Sequence, residues 1–188
     1  MQHYRTRLFI AAATIATILV AAAIDDLVPG TPWHILEQTD EMTDEKSYLV
    51  STVAREAQKP NCFGDETRMV VRIKPAEVEK SGALKYAYQI SLYHSDTSFP
   101  PDSATITTRF NREKATSATW RTVGPNYNIA LPPDRKAMYA KLNTSTNLLV
   151  RFQDILGQTK TYSFDISNLS NALKQVKKTY LKAKEVRP

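Results

Sequence analysis

Hydrophobic and polar positions along this chain recur in two registers. From 84 to 93, Leu84, Tyr86, Tyr88, Ile90 and Leu92 alternate with Lys85, Ala87, Gln89, Ser91 and Tyr93. That period of two belongs to a strand with one buried face. Segments 48–53, 68–74, 104–110, 116–123, 147–154 and 158–166 are likewise rich in β-branched and aromatic residues and predict further strands. Polar or glycine-bearing turns separate them, at Asn111-Arg112-Glu113-Lys114 and at Ile155-Leu156-Gly157. The second register is helical. Leu169, Leu173, Val176 and Tyr180 fall at i, i+4, i+7 and i+11 behind a Ser167 or Ser170 cap. A shorter helix is predicted over 135–142, with Asp134 as N-cap and Met138, Tyr139 and Leu142 at helical spacing.

Short strands without alternating long helices favour antiparallel pairing over parallel crossovers. The expected fold is therefore mainly β, an antiparallel β-sandwich, with the short helix near 135–142 and a C-terminal amphipathic helix. The sandwich domain is expected to run over 33–167, from Trp33, and the basic helix over 168–188 to pack on the sheet and cover an edge or open face. Residues 24–32 contain Asp25-Asp26, Pro29-Gly30 and Pro32 and read as a linker. Residues 37–45 carry five acids and no base, with no apolar stripe, and read as a loop between two early strands.

The first 23 residues change the picture most. Arg5 and Arg7 precede an uncharged run over 8–23 that ends in Ala21-Ala22-Ala23. A positive start, an apolar middle and a small-residue cleavage site form a secretory signal. The run is shorter than the roughly 20 residues of a spanning helix. Export to the periplasm is expected, with inner-membrane contact if the segment is retained. One cysteine, Cys62, allows no intrachain disulfide; it is expected in a turn. The net charge of +6 is uneven: the body over 24–167 holds 17 basic and 18 acidic residues, and the excess lies at the two ends. A near-neutral body argues against a nucleic-acid-binding domain.

Chemistry is sparse. His34 and His94 are isolated and fit surface or edge positions better than a metal site. No nucleophile elbow or phosphate loop occurs among five glycines. The acids of 37–45 lack calcium-loop spacing and read as a solvated turn. No catalytic, cofactor-binding or metal residue is nominated, and a non-enzymatic protein is expected. Tyrosine suits protein interfaces because one end is apolar and the other hydrogen-bonds. The candidate partner contacts are Tyr86, Tyr88, Arg109 and Trp120, on tyrosine- and arginine-bearing strand faces. Loops 94–103 and 124–134 are the alternative contacts.

Several motifs resemble the TagO family of type VI secretion system-associated accessory proteins. They are Trp33 with Met42-Thr43-Asp44 and the strand 48–53, Thr107-Thr108-Arg109-Phe110-Asn111 followed by Trp120, the Pro-rich break with its short helix, and Leu148-Leu149-Val150-Arg151-Phe152. The stretch 161–169 before the last helix is the most similar, and the likeness spans 33–176. Asn111 and Asn168 stand where that pattern has Asp and Gly, and the cysteines many relatives carry are missing near Lys74 and over 176–180. Asn tolerates the left-handed conformation that Gly serves in turns. The resemblance implies an exported accessory or binding protein and supplies no catalytic residue; action through contact with a protein partner, without a cofactor, is the expectation. The alternative expectation is an inhibitor or immunity protein against a periplasmic or cell-wall hydrolase.

Overall fold

The computed structural model describes residues 26–39, 42, 46–55, 67–78, 84–95 and 98–185. Residues 1–23, where an export signal is expected, Cys62 and most of the acidic stretch lie outside the described residues. Every predicted strand is present, and three more join them. In chain order they are β1 (Asp26–Leu27), β2 (His34–Thr39), β3 (Lys46–Val53), β4 (Thr67–Val78), β5 (Leu84–His94), β6 (Ser103–Phe110), β7 (Thr116–Val123), β8 (Ile129–Leu131), β9 (Asn147–Gln153) and β10 (Thr159–Asp165). Helix α1 (Arg135–Thr144) links β8 to β9, and α2 (Leu169–Glu185) follows β10.

All pairings are antiparallel, and the strands form one sheet in the order β1-β2-β3-β4-β5-β8-β7-β6-β9-β10. The chain is mainly β as expected, but the sheets of the expected sandwich are a single sheet here. The join is β8. Its Ala130 stands opposite Leu92 of β5 on one side and Thr122 of β7 on the other. Three residues are too few to show a period, so the sequence reads this strand as part of a proline-rich break.

One face of the sheet carries the core. Inward positions are continuous through the register: Val50 opposite Val71, Val71 opposite Ile90, Ala104 opposite Trp120, Phe110 opposite Leu148. All are buried. The sheet coils until its two halves share that core, with Phe99 and His94 against Phe152 at ring separations of 4.6 and 5.8 Å. Thr52 of β3 donates to the carbonyl of Asp165 in β10 at 3.0 Å.

The first and last described elements pack against each other's neighbours to close the core. Leu169, Ala172 and Val176 of α2 are buried, and the helix packs on β2, β3 and α1. Trp33, fully buried, donates its indole N–H to the carbonyl of Ser167 at 2.9 Å. Part of the expected linker belongs to the fold: β1 pairs with β2, and buried Val28 donates its N–H to the Trp33 carbonyl at 2.8 Å.

Candidate functional site

A groove of about 240 Å³ opens between α1 and α2 over the β4–β5 pair. Its apolar lining comes from four elements: Ile73 of β4, Tyr88 of β5, Tyr139 of α1 and Leu173 of α2. Tyr88 stacks on Tyr139 of α1 with ring centroids 4.4 Å apart and planes at 26°. The helix that delivers Tyr139 forms as the sequence predicts. Asp134 caps it by accepting from the Ala137 N–H at 2.9 Å, and Met138 and Leu142 bury its inner side. Tyr139 is left at the edge of the core, half-buried. Burial, and then the neighbouring Tyr88, push its hydroxyl pKa above the ordinary tyrosine value. The hydroxyl therefore stays protonated through the neutral range.

The rim is polar and positive. Asn143, Ser170, Lys174 and Lys177 surround the opening. Lys174 and Lys177 are exposed and have no ion-pair partner among the described residues. Small-molecule and cofactor pockets usually enclose about 300–1,000 Å³. This groove is smaller and matches one or two large side chains set between a tyrosine stack and two free ammonium groups.

The four sequence-nominated contacts are not gathered here. Tyr88 lines the groove. Tyr86 lies in β5 opposite Pro75, and its side chain is outside the described residues. Arg109 is exposed on the outer face of the sheet. Trp120 is only 2% exposed and cannot meet a partner. It takes an inward position opposite Ala104, whose small side chain leaves room for the indole. Sequence reading missed Leu173, Lys174 and Lys177 as lining residues, and Tyr139 it read only as a helix position. The i, i+3 lysine pair beside the apolar stripe was visible, but the approach of α1 to α2 was not.

His94 corrects another expectation. It is buried at 1% exposure, bonded through Nε2 to the Tyr162 hydroxyl at 2.9 Å, and its ring meets Phe152 and Tyr162 edge-on. Among the described residues no three His, Cys, Asp or Glu side chains could hold a metal ion. Of the acids over 37–45, Glu37 pairs with Lys46, and Asp40, Glu41, Asp44 and Glu45 lie outside the described residues. The two candidate loops bond to each other: Phe99 N–H to Tyr127 carbonyl at 2.9 Å, His94 N–H to Asn128 carbonyl at 3.0 Å. Phe99 is fully buried.

The fold and site define an antiparallel β protein with a small tyrosine-floored, lysine-rimmed groove. Comparison with protein-family models, curated proteins and solved structures finds no match to this chain.

Proposed function

We propose that this chain is an exported, non-enzymatic accessory protein that holds a segment of a partner protein in the groove between α1 and α2. The observation that carries the reading is the Tyr88–Tyr139 stack open beneath Lys174 and Lys177. An apolar or aromatic side chain seated on the tyrosines, flanked by acidic residues facing the lysines, is the occupant this chemistry fits. Aromatic anchors carry most of the binding energy in protein interfaces, and rim charges mainly set rate and choice of partner. The arginine-led apolar run at the N-terminus supports export to the periplasm. Resemblance to secretion-system accessory proteins makes an assembly of that kind the reading for the partner.

The test is site-specific photocrosslinking in cells that export the protein. A photoreactive residue at Ser170 or Asn143, which line the groove, is expected to give a discrete adduct with one periplasmic protein. The same probe at Gln175, exposed on α2 and not part of the lining, is expected to give none. Equal adducts at all three positions, or none anywhere, would overturn the groove as the contact. N-terminal sequencing of the fractionated protein tests export separately.

A further inference from the structure

The outer face of β7-β6-β9-β10, on the opposite side of the sheet from the core, has a chemistry unlike the groove. Arg109, Arg121 and Arg151 are all exposed there, and none has an ion-pair or hydrogen-bond partner among the described residues. The four strands contain one acid, Asp165, which Arg55 engages at 3.4 Å. Free arginines on a face without free carboxylates are not neutralised within the fold. The outward positions of β6 and β7 between them are hydroxyls, and a half-buried Leu149 stands opposite Arg109. Thr105, Ser117, Thr119 and Thr161 are exposed, and Thr107 shares a 2.8 Å hydrogen bond with Ser117 across the β6–β7 pair.

The register sets the spacing. Arg151 stands opposite Thr107, and Arg109 opposite Leu149, so the two arginines are diagonal neighbours at about 7–8 Å. Arg121 stands opposite Ser103, four residues up β6 from Thr107. At about 3.4 Å per residue and 4.8 Å per strand it lies roughly 17 Å from Arg151. The cations therefore trace a line about 20 Å long that follows β6, with Arg121 on one side of it and Arg151 on the other. No aromatic residue occupies an outward position on these strands, so unstacked bases find no platform and a protein partner finds no aromatic anchor.

We propose that this face binds an acidic polysaccharide laid along β6, between its neighbours β7 and β9. Guanidinium groups pair with carboxylates spaced along the chain in bidentate geometry, and the threonine and serine hydroxyls exchange hydrogen bonds with sugar hydroxyls. The site is separate from the groove, and its test does not depend on the partner protein proposed there.

The test is direct binding of the full chain to polygalacturonate, with dextran, poly-glutamate and a single-stranded oligonucleotide as comparison probes. Polygalacturonate is expected to bind and to weaken as salt rises. The R109Q/R121Q/R151Q variant is expected to lose at least about tenfold in affinity. T105V/T161V, which keeps β-branched residues in the strands, is expected to lose about threefold through lost hydroxyl contacts. K174Q/K177Q is expected to leave polygalacturonate binding unchanged, which separates this face from the groove. Equal binding of dextran, equal or tighter binding of poly-glutamate or the oligonucleotide, or an unaffected arginine variant would overturn the proposal.

Discussion

Asn111 shows how one exposed residue can hold two elements together. It sits at φ 48°, and its side-chain oxygen accepts from the Thr146 N–H, the Thr146 hydroxyl and the Asn147 N–H at 3.0, 3.1 and 3.1 Å. The β6–β7 turn is thus tied to the entry of β9. Exposed positions usually change stability by less than about 0.5 kcal/mol. Asn111→Ala removes both the acceptor and the residue type that tolerates left-handed backbone, so a loss of about 1–3 kcal/mol is expected. Asn111→Asp keeps both and is expected to lose less; urea unfolding of the pair checks this. Asp165 gives a pH-dependent counterpart. Burial alone would raise its pKa, but hydrogen bonds from the Ser167 hydroxyl and N–H, together with Arg55, outweigh it and hold the carboxyl below 3.8. A depressed folded pKa contributes stability that is present above the unfolded value and is lost as pH falls through the folded one. Asp165→Asn is therefore expected to be less stable than the parent at pH 7, with the gap closing below about pH 4. Denaturant midpoints from pH 7 to 3 measure it, and a constant gap would refute the carboxylate's role.

At the scale of elements, the sequence was most legible where a segment carries its own period or cap. The β5 alternation puts Ile90 and Leu92 inside, and Asp134 caps α1 as its position predicts. Asp134→Ala is expected to cost about 1 kcal/mol in thermal or urea unfolding. It should also loosen the groove, because α1 delivers Tyr139 to Tyr88. The start of α2 was read less well: neither Ser167 nor Ser170 directly precedes its first residue, Leu169, and Asn168 takes that place at φ 58°. The illegible elements are those whose structure comes from distant partners. Strand β8 is only three residues long, yet its bonds to β5 and β7 join the sheet. His94 looked like a surface residue because nothing local announces Tyr162, 68 positions away. Of the groove, the sequence supplied Tyr88 as a contact and the apolar stripe of α2. The meeting of α1 with α2 depended on tertiary packing, which no local pattern encodes.

At the scale of the whole molecule, the coiled sheet has one core-bearing face, and the last helix completes its cover. Leu169, Ala172 and Val176 are buried, Leu173 and Tyr180 pack at the edge of the same cluster, and Ser167 receives the Trp33 indole. α2 therefore contributes several buried side chains, and the turn that leads into it anchors Trp33. Fully burying even one leucine- or valine-sized side chain is worth about 1.5–3 kcal/mol, and whole domains are stable by only about 5–15 kcal/mol. Losing two such groups together with Ala172 and the partly buried Leu173 and Tyr180 is comparable with much of that margin. A chain ending at Asn168 is accordingly expected to lose cooperative unfolding, bind a hydrophobic dye and lose the near-ultraviolet dichroism of its tryptophans. The single replacement Leu169→Ala is expected to stay folded while losing about 2–5 kcal/mol, which separates lost packing from a lost element. If the shortened chain instead unfolds cooperatively with its tryptophan signal intact, α2 is an appendage on a self-sufficient sheet. The groove would then be a contact between two independently stable parts, and binding by α2 alone would have to be measured in its place.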